Sequence, residues 1–337
     1  MKAIFYNSSL PEKIQLSEIQ LPGIGENEVR VRLVAAALNH RDEWCRQGLY
    51  PGLKDGVILG SDGAGVVDAI GANVDSNLLG KEVIINPALH WGDNQKAQSK
   101  EFKIIGMPDH GTLAEFVQVP SDRIHPKPEH LSWEEAAALP LGGVTAYRAV
   151  VYQGKVAAGE KVLVTGFGGG VAQFAVQFAL ALGAEVYVSS SSEAKIDKAI
   201  GMGVTAGFDY KDENWTEEAL TLTGGFDLII DSAMGNTLSQ LIKAARPGGK
   251  IVLYGATKGN PGVLDARKVF WNQIQIIGTT MGSDQDFANM LALVNASKII
   301  PIVDQIFPLE DAVLAFDKMK AGLQLGKIVV KIASAKE

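Results

Sequence analysis

The 23 residues from Val162 to Ala184, VLVTGFGGGVAQFAVQFALALGA, contain no charged side chain. Such a run is long enough to cross a bilayer as one apolar helix. It can equally be a buried strand, a turn and a buried helix in series. Glycines at 166, 168, 169 and 170 and glutamines at 173 and 177 interrupt it, against a membrane span. KVLVTG is therefore read as a strand and VAQFAVQFALALG as a helix ending at Gly183. A strand that turns through glycines into a helix begins a βαβ unit, which constrains everything around it.

The flanking sequence continues the pattern. SWEEAAALPLGGVTAYRAVVY opens with Ser132 and Glu135 at the spacing of a capping box, so a helix starts there. AEVYVSS, AGFDY, FDLIIDSAM, GKIVLYGA and IQIIGTTMG read as strands. SEAKIDKAIGMG reads as a helix, and NTLSQLIKAARPGG as a helix stopped by Pro247 and Gly248. Uninterrupted apolar strands belong to parallel sheets covered on both faces. The α/β alternation thus predicts a doubly wound cofactor domain over residues 124–286.

Residues 1–123 have a different rhythm. KAIFY, EVRVRLVAAAL, AGVVDAIG, KEVIINP and AEFVQVP are short strand-forming runs separated by Gly, Pro and Asn. They predict a partly closed barrel, with the polar stretch 88–112 as an excursion from it. After QDFANMLALVNASK and a final strand GKIVVKI no alternation continues, so residues 287–337 are expected to complete this first domain. A length of 337 residues also favours two domains.

Composition removes several function classes. The formal charge is 31 − 38 = −7 and no basic stripe is present, so nucleic acid is not an expected partner. A single cysteine, Cys45, excludes an intramolecular disulfide and a cysteine-rich zinc site. MKAIFYNSSLPEKIQL lacks a signal-peptide core. A cytoplasmic protein is expected.

The strongest chemical signal is the glycine turn. A strict GxGxxG fits poorly; Gly166-x-x-Gly169-x-x-Ala172 fits better, with Ala172 as the small residue at the helix–strand contact. Glycines let the backbone approach a pyrophosphate, and the helix start at Gly169, Gly170 and Val171 offers unpaired N–H groups to it. The alternative is a glycine-rich turn with no ligand. The next strand ends in VSSSSEAK. An NAD site wants an acid there, but Glu193, the only acid nearby, falls in the next helix. Hydroxyls at 189–192, including Ser190, and the ammonium of Lys195 suit a 2′-phosphate. Tyr210 can add a phenol or stack. NADPH is favoured over NADH, although Lys195 can also be an ordinary exposed helix lysine.

Together these motifs resemble the medium-chain dehydrogenase/reductase family, in its zinc-independent quinone oxidoreductase branch. The resemblance runs through ALNHRDEWCRQGLYPG (37–52), LGSDGAGVVDAIG (59–71), GTLAEFVQVP (111–120), LPLGGVTAYRAV (139–150), the 162–184 run, GGKIVLYGAT (248–257) and GKIVVK (326–331). It implies a GroES-like β-rich catalytic domain with a Rossmann cofactor domain inserted in it. It also implies NADPH-dependent reduction of a small electrophilic acceptor such as a quinone or enone. A homodimer joined at the cofactor-sheet edge through IQIIGTTMG is the implied assembly.

Zinc-dependent members of that superfamily ligate catalytic zinc through two cysteines and a histidine, assisted by a glutamate. Those positions fall at Asn39, near Leu141, at Ser61 and at Asp62, and 88–112 holds no cysteine of a structural zinc lobe. Asn, Ser and Leu offer neither thiolate nor imidazole, so no metal site is expected. In its place the resemblance offers Asn39 as an amide donor into the cleft, against a turn-stabilising role. It offers Tyr50 as a proton donor, against packing on the rim. It puts Thr145, Gly255 and Thr279 or Met281 beside the nicotinamide. Arg41 faces the cofactor phosphates or solvent, Asp42 holds the loop, and Trp44 and Trp91 wall a flat ring or belong to the core. Asp62 accepts from backbone or from a neighbour such as Arg41. Two other readings stay open: a zinc-type alcohol dehydrogenase relative, and a non-catalytic NADPH-binding sensor.

Overall fold

The computed structural model describes residues 1–333. In chain order it holds β1 (Lys2–Tyr6), β2 (Ile14–Glu18), β3 (Glu28–Ala37), α1 (His40–Gln47), β4 (Asp62–Ile70), β5 (Glu82–Ile85), β6 (Phe116–Pro120), β7 (Ile124–Pro126), α2 (Trp133–Ala138) and α3 (Pro140–Tyr147). The middle of the chain holds β8 (Lys161–Val164), α4 (Gly170–Ala181), β9 (Glu185–Ser190), α5 (Glu193–Gly201), β10 (Ala206–Asp209), α6 (Trp215–Thr223), β11 (Phe226–Asp231), α7 (Thr237–Ala244), β12 (Ala245–Leu253), α8 (Ala266–Trp271) and β13 (Gln275–Gly278). The chain closes with α9 (Asp284–Ser297), β14 (Val303–Pro308), α10 (Ala312–Ala321) and β15 (Lys327–Lys331). No helix among the described residues is long and apolar enough to cross a membrane.

Two compact units divide the chain. One is Met1–Gly142 together with the segment from Ser283 onward, and the other is Gly143–Gly282. The first boundary lies later than the expected 123/124 because α2 packs on β3, β4 and β15 of the first unit. The second lies earlier than 286/287, at the Ser283 cap of α9. The last four residues of the expected first domain, 334–337, lie outside the described residues.

In the first unit a seven-stranded sheet runs β14-β15-β3-β4-β5-β7, with β6 also paired to β3. β3 is ten residues long and serves two partners along one side. Glu28–Arg32 pair with β6, and Ala35–Ala37 pair with β15 near the C-terminus. Bulges between Arg30 and Val31 and between Leu33 and Ala35 bend it between them. The other side carries β4, and the crossing is tight. A Cβ on Gly65 would stand 2.1 Å from the Arg32 carbonyl oxygen, so only glycine fits there.

The second unit is a six-stranded parallel sheet in the order β10-β9-β8-β11-β12-β13. This is the doubly wound order, with its switch point between β8 and β11, where ligands bind at the strands' carboxyl ends. α7 ends at Ala244 and β12 begins at once, so Pro247 and Gly248 lie inside the strand rather than stopping the helix. A register shift opposite Phe226–Leu228 accommodates them.

Candidate active site

In the first unit the site is a buried polar cluster at the start of α1 and β4. Asn39 caps α1 and its backbone N–H donates to Asp42 Oδ2 at 2.8 Å. Its side chain is occupied on both sides. Nδ2 donates to Asp62 Oδ2 at 2.9 Å, and Oδ1 accepts from Lys327 Nζ at 2.6 Å. Lys327 Nζ also donates to Asp62 Oδ2 at 2.8 Å. Asp62 Oδ1 accepts the backbone N–H of Leu141 at 2.8 Å. Lys327 is 2% exposed and Asp62 fully buried, so their charges stand in low dielectric, where pairing is obligatory.

Two expectations change here. Asp62 takes a backbone donor as expected, but its charged neighbour is Lys327 and not Arg41. Asn39 is spent inside the protein on Asp62 and Lys327, so its expected role as amide donor toward an acceptor gives way to its alternative, a structural one. Lys327 was missed by sequence reading. A lone buried acid signals a cation partner, but β15 reads only as an apolar strand, and nothing local says that its first residue faces Asp62.

Arg41 runs elsewhere. Nη1 donates to Ser61 Oγ at 2.6 Å and to the Ile105 carbonyl at 2.8 Å, and Nη2 to the Met107 carbonyl at 3.2 Å. Nε donates to Tyr50 Oη at 3.3 Å, with the guanidinium 4.7 Å from the ring centroid. Arg41 is buried, which removes the expected roles toward cofactor phosphate or solvent. Tyr50 is half-buried, with one side of its ring against the core around β15 and α10. Of the eight α1 residues, His40 and Trp44 alone are exposed. They lie one turn apart on one face, with ring centroids at 6.3 Å. Trp91 is buried edge-on against Phe102, so it walls nothing.

Asp42 is fully buried, and its Oδ1 has no hydrogen-bond partner among the described residues. Burial pushes its carboxyl up to about 6, with Arg41 and the Asn39 N–H opposing.

In the second unit the functional residues gather at the carboxyl ends of the strands. Gly166 (φ +62°) and Gly168 (φ +137°) take backbone conformations that favour glycine. Gly169 precedes α4 with no side-chain cap, so the first-turn N–H groups of Gly170 and Val171 stay open to an anion. A side chain on Gly168 would place Cβ 2.9 Å from Lys195 Nζ. The Lys195 ammonium therefore lies over the glycine loop. Ser190 is buried at the end of β9. Tyr210 Oη donates to Ser191 Oγ at 3.0 Å, and Lys258 Nζ stands 5.0 Å over the Tyr210 ring. Lys258 is an addition to the expected set. Glu193 is the first residue of α5.

Across the switch point Thr165 Oγ1 donates to Asp231 Oδ1 at 2.5 Å, and Met234 N–H to Asp231 Oδ2 at 2.8 Å. This ties the ends of β8 and β11 beside the glycine turn. Thr145 Oγ1 and Met281 Sδ are 3.9 Å apart. Thr279 Oγ1 is buried without a hydrogen-bond partner among the described residues. At Gly255 a Cβ would stand 3.2 Å from the Ser232 carbonyl oxygen, so a side chain there would require Ser232 to shift slightly. No group of three or more His, Cys, Asp or Glu able to hold a metal ion occurs among the described residues.

Comparison with known proteins agrees with this architecture. The family model described as alcohol dehydrogenase GroES-like domain matches residues 25–129. The model described as zinc-binding dehydrogenase matches residues 170–296. A zinc-type alcohol dehydrogenase-like protein of Leptosphaeria maculans is 36% identical, over 95% of this chain and 94% of its own length. A crotonyl-CoA reductase of Streptomyces avermitilis is 30% identical, over 97% of this chain and 83% of its own. A solved NAD-dependent alcohol dehydrogenase superposes with a TM-score of 0.94 at 37% identity, covering 99% of this chain and all of its own.

Two measurements test the cluster. Replacing Lys327 by Met leaves the Asp62 charge buried without its cation, and unfolding in denaturant should show a loss of about 3–5 kcal/mol. Adding Asp62→Asn should restore most of it; a single-variant loss below about 1 kcal/mol would refute the pairing. The second concerns pH. The folded Asp42 carboxyl holds its proton up to about pH 6 against 3.8 for the ordinary group. Between those values the native state binds more protons than the unfolded chain, so stability falls as pH rises through the window. Asp42→Asn should abolish that fall, which amounts to roughly 3 kcal/mol at most. Parallel stability–pH curves for variant and wild type would contradict the assignment.

Proposed function

Because this chain belongs to the medium-chain dehydrogenase/reductase family, we propose that it is an NADPH-dependent reductase of quinones or α,β-unsaturated carbonyl compounds that works without catalytic zinc. The observation that carries this reading is the Asn39–Asp62–Lys327 cluster. In it, Asn39 stands where the resemblance puts a zinc ligand in other members, and Asp62 where it puts the assisting glutamate. The donor set does not fit zinc. Asn39, Ser61 and Leu141 provide no thiolate or imidazole, and an ammonium already holds Asn39 Oδ1 and Asp62 Oδ2. A dication there would face a fixed positive charge. The zinc-type name of the Leptosphaeria relative does not transfer on these residues.

The cofactor groups fit NADPH. The uncapped start of α4 and the glycine loop suit the pyrophosphate. Lys195 by the glycine loop, Ser190 at the end of β9, and Lys258 over the Tyr210 ring supply cations and hydroxyls of the kind that suit a 2′-phosphate dianion. The solved relative described as NAD-dependent leaves NADH as the outcome to test against. Thr279 Oγ1, buried and unpartnered, is a donor and acceptor for the nicotinamide carboxamide, with Thr145 and Gly255 beside the same ring.

Bound NADPH supplies the hydride. Without a Lewis acid, an acceptor must already be electrophilic, as quinones and enones are, and fixed hydrogen-bond donors then suffice for the developing oxyanion. Crotonyl-CoA reductase, the activity named for the Streptomyces relative, is of this chemical kind. The His40–Trp44 face offers a flat apolar surface with one polar edge to such an acceptor. Tyr50 gives the proton.

Purified protein mixed with NADPH and a panel of quinones and enals should oxidise the cofactor while holding zinc far below one ion per chain. No turnover with any acceptor, or stoichiometric zinc, would reject the reading. Lys195→Ala should weaken NADPH about 10- to 100-fold and leave NADH little changed. A wild-type preference for NADH would reverse the cofactor assignment.

We also propose a homodimer through the edge of the second unit's sheet. Among the described residues β13 pairs only with β12; Ile276 on it and Phe270 and Trp271 in the preceding helix are exposed, Trp271 at 81%. An unpaired edge beside such apolar surface suits a second copy of the same strand. Sedimentation should give a dimer for the wild type and a monomer for Ile276→Lys; a monomeric wild type would remove this proposal.

A further inference from the structure

We infer that Arg41 is a positioning residue for proton transfer, fixing the Tyr50 phenol and charge-stabilising its oxygen once the proton has left. The inference rests on the reading of Tyr50 as proton donor and deepens it.

Three observations carry it. The first is the fixing of the guanidinium. Ser61 Oγ, the Ile105 carbonyl and the Met107 carbonyl hold its two Nη atoms at 2.6, 2.8 and 3.2 Å. Ser61 Oγ itself donates to the Ile105 carbonyl at 2.8 Å, so its lone pairs are turned to Arg41. The planar fork has one orientation left, and Nε faces Tyr50 Oη.

The second is charge. Every atom that accepts a hydrogen bond from Arg41 is a neutral oxygen. The one carboxylate within 4.0 Å among the described residues is Asp42, at that limit, and no hydrogen bond joins them. A buried guanidinium stays charged. Asp42 meets it across 4.0 Å without a hydrogen bond, and a Tyr50 phenolate would be the anion in hydrogen-bonding position to it.

The third is direction. The Tyr50 oxygen accepts from Nε, and its hydroxyl donates no hydrogen bond to any described residue. Its proton is thus available to a substrate, while Arg41 occupies the acceptor side.

The step balances as follows. NADPH, when bound, would supply the hydride for the new C–H bond at the β-carbon of the acceptor and be left as NADP+, and the electron pair of the acceptor's C=C bond would move onto the carbonyl oxygen as an enolate. The Tyr50 O–H bond breaks, its proton bonds to the α-carbon or the enolate oxygen, and its electron pair stays on the phenolate oxygen beside Arg41. Water returns a proton to Tyr50. The acceptor gains two electrons and NADPH loses two.

A double-mutant cycle on enal reduction tests this. Arg41→Met should lower kcat about 100-fold and leave KM for NADPH within about twofold, because Arg41 touches no cofactor group. Tyr50→Phe should lower kcat about 100-fold. The double variant should be no worse than either single one, since both act on one step. Added guanidinium ion should restore part of the Arg41→Ala rate and none of the Arg41→Ala/Tyr50→Phe rate. Full kcat in Arg41→Met, or multiplicative losses in the double variant, overturns the inference while leaving the reductase reading standing. A wild type without turnover on any acceptor instead fails the reading, and the inference with it. Should Arg41→Met not fold, Arg41→Lys keeps the charge and loses the fork. Its partial loss should vanish in the Tyr50→Phe background, and equal losses in both backgrounds overturn the inference.

Discussion

The ion pair between Lys327 and Asp62 organises the first unit. Four distant segments end on it: the start of α1 through Asn39, the start of β4 through Asp62, the backbone at Leu141, and β15 through Lys327. Each polar atom satisfies another, and all of them are buried. Such a cluster is unforgiving. Removing one member leaves a charge or a donor stranded in low dielectric, whereas replacing the whole set by apolar groups costs little. Its members must therefore change together, and the set ties the C-terminal strand to residues near the N-terminus.

That tie leaves the neighbouring side chains a limited choice. With Asn39 and Asp62 committed to Lys327, the proposed chemistry turns on Tyr50, whose oxygen accepts from Arg41. Arg41 in turn takes Ser61, another position that the resemblance assigns to a metal ligand. The arrangement divides the work of a metal centre. One cation, Lys327, neutralises the buried acid. A second, Arg41, stands beside a proton-bearing oxygen. Fixed charge and oriented hydrogen bonds can do at an electrophilic acceptor what an alcohol substrate would require a Lewis acid to do.

Much of the second unit was legible in the sequence, because its signals are local. The Gly166–Ala172 turn and the serine-rich end of β9 each lie within a few residues, and each sits where its spacing put it; the Ser132–Glu135 capping box of the first unit was legible for the same reason. Pro247 misled because a strand start with a register shift tolerates what a helix interior cannot. Asn39 and Trp91 each left two readings open for another reason. Their types suit an exposed site and a buried one equally, and burial is a property of the whole unit. Lys327 was invisible: a lysine opening a strand is ordinary until the facing strand is known to carry an acid.

The sequence by itself determined the element order, the strand–turn–helix start of the cofactor unit, the lack of cysteine ligands, and the family resemblance. These are set by residue type and by spacings short enough for one helix turn or one strand to read. The tertiary structure decided which charges meet. Asn39 and Lys327 are 288 residues apart, and Arg41 meets Ile105 across 64. No periodicity spans such distances. The partner of a buried charge is chosen by which backbones the sheet brings together, and burial then makes that choice binding, since an unpaired charge in the interior costs more than a single contact returns.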